Sequence, residues 1–139
     1  MNVLDISKER LDKARIEVER SPLVVKTPLL MNVGEHFDLD EKYFKCNVHF
    51  KLETLQKTGS FKTRGLANQL AHLPLSILRD KQSLVAMSAG NYGKAFAYAA
   101  QQLGLPAMVV MPDDAPVSRA RIIEVYAWCS NCYVVTKIA

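Results

Sequence analysis

Cysteine, histidine, clustered charge and long apolar runs are all sparse in this chain, and each shortage excludes something. The three cysteines are an odd number in a chain without secretory features, so the expectation is reduced thiols in the cytosol and not a disulfide framework. Cys129 and Cys132 have C-x-x-C spacing, which is half a zinc site or a redox pair. A structural zinc site needs four ligands and no second pair exists, so packing or an altered terminus is the favoured reading. His36, His49 and His72 share no spacing suited to a metal or a catalytic triad and are read as surface or edge residues. No apolar run is long enough to cross a bilayer, and charge arrives by Asp5, so neither a membrane partner nor a signal peptide is expected. The net charge of +4 is not gathered into a patch: the first twenty residues hold five acidic and five basic side chains, interleaved. A solvated surface follows, without nucleic acid as a partner. The dinucleotide fingerprint G-x-G-x-x-G is absent, and Gly90-Asn91-Tyr92-Gly93 does not supply it.

What remains is a chain of 139 residues, 49% hydrophobic, which is enough to bury a core. Residues 5–20 read as a surface helix, with Leu4, Leu11, Ala14 and Val18 on one face, stopped at Ser21-Pro22. Residues 21–29 are extended, and 34–42 form a polar loop with a short helix. Val48, Phe50 and Leu52 alternate with Asn47, His49 and Lys51, which predicts a strand over 46–53. Helices are predicted over 60–73 and 75–80. The short apolar run 83–88 has the character of a buried parallel strand. A turn at 89–93, a helix over 94–103 ended by Gly104, a strand at 107–111, a helix at 117–126 and a strand at 132–136 complete the pattern. Strand, helix, strand, helix, strand at this spacing is a βαβαβ unit with a parallel sheet.

The chemistry centres on Lys62. Thr58-Gly59-Ser60 breaks the strand pattern, glycine permitting a sharp turn and Ser60 offering a cap for the next helix. Lys62 then falls in the first helical turn, at the positive end of the dipole, with Phe61 beside it as an apolar cover. Both effects suit an amine that attacks a carbonyl carbon. The stretch Lys57-Thr58-Gly59-Ser60-Phe61-Lys62-Thr63-Arg64-Gly65 resembles the cofactor-lysine motif of the serine/threonine dehydratase and serine racemase family, pyridoxal-phosphate (PLP) enzymes of the tryptophan-synthase-β-like fold type II. The resemblance implies that Lys62 joins the cofactor as a Schiff base and that Phe61 packs against its ring. It further implies a parallel three-layer βαβ sheet, with residues 1–82 in the larger PLP domain and 83–139 a small-domain-like βαβαβ segment.

A second motif, Ser88-Ala89-Gly90-Asn91-Tyr92-Gly93, lies between a predicted strand and a predicted helix, where α/β folds bind ligands and free N–H groups suit an anion. It resembles the family loop Ser-x-Gly-Asn-His, which holds a substrate α-carboxylate. Ser88, Ala89, Gly90, Asn91 and Tyr92 are therefore the expected substrate-binding residues, with Asn91 also meeting the cofactor's phenolic oxygen. Two residues depart from the family. Tyr92 replaces the histidine, and Ala89 stands where racemases place a second serine, the base for the other cofactor face. The expected activity is accordingly β-elimination from L-serine or L-threonine to a 2-oxo acid and ammonia, with Lys62 as the catalytic amine. Racemisation of serine and an inactive form acting only by interaction are the alternatives. The resemblance runs from about Thr27 to Arg121, and it places the family's glycine-rich phosphate cradle beyond residue 139. The expectation is thus an incomplete, N-terminal part of a catalytic domain, homodimeric in the complete protein, whose activity in isolation is left open.

Overall fold

The computed structural model describes residues 6–34, 47–127 and 132–135. The first helix, α1 (Lys8–Arg20), starts three residues later than the sequence pattern suggests, because Ser7 Oγ accepts from the Arg10 N–H at 3.3 Å and caps it. None of its residues is buried, and Leu11 is exposed.

A two-stranded antiparallel sheet follows, β1 (Leu29–Leu30) against β2 (Phe50–Lys51), with Leu29 opposite Lys51 and Leu30 opposite Phe50. The strand expected over 46–53 is thus far shorter. Its partner runs straight only from Pro28, whose carbonyl accepts from Leu52, to Asn32, which turns left-handed at φ 53°. Asn32 donates its N–H to His49 Nδ1 at 3.0 Å, and Glu53–Leu55 then winds into a 3-10 turn. His49 and His72 are exposed, whereas His36 and the expected loop after Gly34 lie outside the described residues.

Helix α2 (Lys62–Ala71) and the short α3 (Leu75–Arg79) lead to a three-stranded parallel sheet in the order β3 (Leu84–Met87), β4 (Ala107–Val110), β5 (Cys132–Val135). Leu84 pairs with Ala107 and Ala107 with Cys132. The crossovers are α4 (Asn91–Leu103) and α5 (Val117–Ala127). Cys129 lies outside the described residues, so the C-x-x-C pair is not described as a unit.

Helix α4 is the centre of the molecule. Six consecutive residues, Ala95 to Ala100, are buried, so the middle of this helix leaves no face to water. Its alanines let α2 approach from one side and β3 and β4 from the other, while α5 packs alongside. Val109, Met111, Ile123 and Leu66 complete the core. Gly104, at φ 63°, ends α4 in the left-handed conformation, as its position predicts. The two helices lie together over one face of the parallel sheet, and Val85 and Met87 are exposed on the other. Among the described residues, no helix is long and apolar enough to cross a membrane.

Candidate functional site

The turn that presents Lys62 is held by a polar network rather than by apolar packing. Glu53 receives Arg64 through two hydrogen bonds, Nε to Oε2 and Nη2 to Oε1, both at 2.7 Å. Thr27 Oγ1 donates to the same carboxylate at 2.6 Å, and Gln56 Nε2 at 3.2 Å. Gln56 is buried and ties back to the Val25 backbone through both its amide atoms. The Arg64 hydrogen bonds, aided by those from Thr27 and Gln56, hold the Glu53 carboxyl well below its ordinary value, at about 2 against 4.5, over the opposing cost of burial. The same pair pushes Arg64 further up.

Inside this frame the chain turns at Gly59, φ 73°, a conformation that favours glycine. Thr58 and Thr63 are fully buried with their hydroxyl oxygens 2.7 Å apart, and Thr63 donates to the Ser60 carbonyl. Ser60 does not cap the helix: its hydroxyl is buried and has no hydrogen-bond partner among the described residues. The residue at the cap is Phe61, already helical at φ −62° and ψ −14°, so the chain enters α2 without the extended residue a side-chain cap requires. Lys62 is the first residue of α2 and is exposed. Its Nζ lies 4.9 Å from the centre of the Phe61 ring, itself 57% exposed. The ring meets the ammonium as a cation–π neighbour and does not shield it from water.

The second motif forms one built loop. Ser88 continues β3 by donating its N–H to the Val110 carbonyl, and its Oγ accepts from the N–H groups of Gly90 (3.2 Å) and Gly93 (3.0 Å). That hydroxyl draws the helix start back, so α4 begins at Asn91 and not at Lys94 as the sequence pattern suggests. Asn91 and Tyr92 thus occupy the first turn, with their backbone N–H groups unpaired among the described residues, the arrangement that receives an anion. A Cβ on Gly93 would lie 2.9 Å from the Ser88 carbonyl and from Ile123 Cδ1, so only glycine lets α4 pass this close to β3 and α5. A Cβ on Gly90 would meet nothing within 4 Å, which leaves the mouth of the loop open.

Ser88, Ala89, Gly90, Asn91 and Tyr92 are brought together, as are Phe61 and Lys62. Among the described residues no hydrogen bond joins Lys62 directly to the loop. The link is indirect: Tyr92 Oη donates to Gln69 Oε1 at 2.9 Å, on the helix that Lys62 begins. A second tie runs from Tyr126 Oη, on α5, to the Lys57 carbonyl at 3.4 Å. Behind the loop a cleft of about 70 Å³ is lined by Ala89, Gly90, Lys94, Arg119, Ile122 and Ile123. Lys94 and Arg119 were not singled out from sequence. The available signal was their place in the first turns of two neighbouring helices, where cations go against the helix dipole. No group of three or more metal-ligating side chains occurs among the described residues. The donor set therefore comprises a primary amine open to a carbonyl carbon, a carboxamide at Asn91, and two unpaired amides for an anion.

A family model described as "Pyridoxal-phosphate dependent enzyme" matches residues 21–135. A catabolic L-threonine dehydratase of Staphylococcus aureus is 34% identical over 116 residues, 84% of this chain and 31% of the relative. The L-threonine ammonia-lyase of Thermotoga maritima is 51% identical over 72 residues, 52% of this chain and 18% of that protein. The crystal structure of a serine racemase from Dictyostelium discoideum superposes with a TM-score of 0.68 at 30% identity, covering 94% of this chain and 39% of that one. The chain thus spans about a third of the length of the curated dehydratase it matches.

Proposed function

Taking as premise that this chain belongs to the pyridoxal-phosphate dependent enzymes and has their tryptophan-synthase-β-like fold, we propose that it serves an ammonia-lyase acting on L-threonine or L-serine, with Lys62 as its catalytic amine. The residues present fit the cofactor: an exposed lysine amine for its aldehyde, Phe61 for its ring and the Asn91 carboxamide for its phenolic oxygen. Pyridoxal phosphate, when bound, supplies a ring that draws electrons from the substrate's α-carbon. With the cofactor held there, Lys62 Nζ would be the general base that takes the substrate's α-proton. The substrate loses that proton and its β-hydroxyl as water. The enamine left behind takes water back and gives a 2-oxo acid and ammonia.

The substrate carboxylate is assigned to the Asn91 and Tyr92 amides at the start of α4, with Ser88 shaping the loop and Lys94 and Arg119 adding positive potential behind it. The observation that carries this reading is the pairing of an exposed helix-start lysine with an unpaired-amide loop, joined through Tyr92 and Gln69. Residues 1–82 are assigned to the larger cofactor-bearing domain, 83–139 to the smaller one, and the assembled enzyme to a homodimer. Ala89 carries no proton-transfer group, which favours elimination over racemisation.

The test uses full-length protein incubated with pyridoxal phosphate, reduced with borohydride and peptide-mapped, alongside 2-oxo-acid release from L-threonine and L-serine. Label confined to Lys62, and turnover abolished by Lys62→Ala, is the expected result. Label spread over other lysines, or turnover surviving that substitution, would overturn it.

A further inference from the structure

We propose that Tyr92 and Gln69 are a positioning pair, whose hydrogen bond fixes the amino end of α4, and with it the Asn91 and Tyr92 amides, against the helix that starts at Lys62. The proposal rests on the ammonia-lyase reading and adds to it a role for the residue that departs from the family loop.

The Tyr92 ring is held at both ends. One face stacks on Phe96 one turn further along α4, centroids 6.2 Å apart and planes at 24°, and Phe96 is itself buried. The hydroxyl at the other end donates to Gln69 Oε1 at 2.9 Å. The side chain therefore points to α2 and not into the mouth of the loop, so what Tyr92 offers a substrate is its backbone N–H. A histidine ring at this position ends nearer the backbone than a phenol hydroxyl, so the bond to Gln69 depends on the longer side chain.

The bond matters because of what else joins the two helices. The core around α2 and α4 is Leu66 and Ala67 on one side and Phe96, Tyr98 and the alanines between and after them on the other. Apolar contact of that kind is non-directional, whereas a hydrogen bond fixes both a partner and a distance. Among the described residues, Tyr92 to Gln69 is the one side-chain hydrogen bond between α2 and α4. Gln69 lies seven residues after Lys62, about 10 Å along the helix axis. The pair thus acts at the far end of α2 from the lysine, as a strut that sets how the two helix starts face each other. Its loss should loosen carboxylate binding while leaving the lysine chemistry intact.

The experiment compares Tyr92→Phe, Gln69→Leu, the double variant and Gln69→Glu, which keeps an acceptor oxygen, in full-length protein. Backbone hydrogen exchange at Asn91, Tyr92 and Gly93 is measured without cofactor. KM and kcat for L-threonine and borohydride labelling of Lys62 are measured with it. The expected result is several-fold faster exchange and a KM raised about threefold to tenfold in each single variant, the range one hydrogen bond supports. The expected kcat stays within about twofold, the size this positioning role allows when binding alone is weakened. Lys62 labelling is unchanged, the double variant is no worse than either single one, and Gln69→Glu restores the wild-type values. Unaltered exchange, additive effects in the double variant, or a fall in kcat with KM unchanged each overturns the pair. Failure of the ammonia-lyase reading shows separately, as absent turnover in the wild-type protein. The exchange rates and their restoration by Gln69→Glu then decide the pair on their own.

Discussion

Replacing Glu53 by glutamine tests whether the frame around the Lys62 turn is electrostatic. The carboxylate receives both forks of Arg64 at 2.7 Å, Thr27 at 2.6 Å and Gln56 at 3.2 Å, and its side chain is 19% exposed against 31% for Arg64. A fall from 4.5 to about 2 corresponds, at about 1.4 kcal/mol per pH unit, to a ceiling of about 3 kcal/mol. Partial exposure screens the pair, so about 1–2 kcal/mol of that survives. The substitution also turns an amide N–H₂ toward a guanidinium that can only donate, which adds the cost of an unsatisfied donor, about 1 kcal/mol. Glu53→Gln should therefore destabilise the fold by about 2–3 kcal/mol at pH 7. Because the folded pKa is depressed, the carboxylate's contribution is complete above the unfolded value of 4.5 and is lost as pH falls toward about 2. The gap between wild type and variant should stay constant from pH 7 to about 5.5 and narrow below about 4.5, the window set by that depression. Urea unfolding followed by circular dichroism at several pH values reads both quantities. A variant within about 0.5 kcal/mol of wild type at pH 7, the usual size of a neutral surface change, or a gap that acid does not narrow, would refute the electrostatic account.

Gly93→Ala should lower the melting temperature and cost about 2 kcal/mol or more, because its Cβ meets the Ser88 carbonyl, which is backbone and cannot swing aside; a thermal melt matching wild type would contradict the close approach. Ser88→Ala removes the oxygen that accepts from Gly90 and Gly93 and should cost about 1 kcal/mol, the usual worth of such a cap. Denaturant unfolding measures that loss, and an unchanged midpoint would show that the loop does not depend on the hydroxyl. Ala89→Ser should raise D-serine formation relative to pyruvate, read by chiral chromatography of reactions with L-serine. An unchanged ratio would show that a hydroxyl at this position is not what separates the two activities.

Much of the fold was legible in order and type, because the signals are local. The apolar runs at 84–87 and 107–110, the alanine-rich helix between them and Gly104 at its end all follow from short-range pattern. Boundaries failed where a side chain reached along the chain. Ser7 moved one helix start later, and Ser88 drew another back to Asn91, which placed Asn91 and Tyr92 on a helix and not in a turn. The strand expected over 46–53 shortened because its partner turns left-handed at Asn32 and Val33 then bonds to Val48 out of the register set by Leu29 and Leu30, which alternation in one segment cannot reveal.

The two motifs around Lys62 and across Ser88–Gly93 are local, and they are legible in the residues whatever the arrangement of the rest. How they are held depends on contacts between segments far apart in the chain. Glu53 and Thr27 are distant in sequence from Arg64 and converge on it through folding, so the frame behind Lys62 has no local signature. Ser60 reads as a cap yet its hydroxyl is buried with no partner among the described residues, because the residue at the cap is Phe61, already helical. Tyr92 reads as a ligand contact from its place in the loop, but that its hydroxyl spans to Gln69, 23 residues away in the chain, has no local signal. Propensity and pattern act over a few residues, whereas hydrogen-bond partners are chosen by which surfaces the packing of α2 on α4 brings within 3 Å of each other.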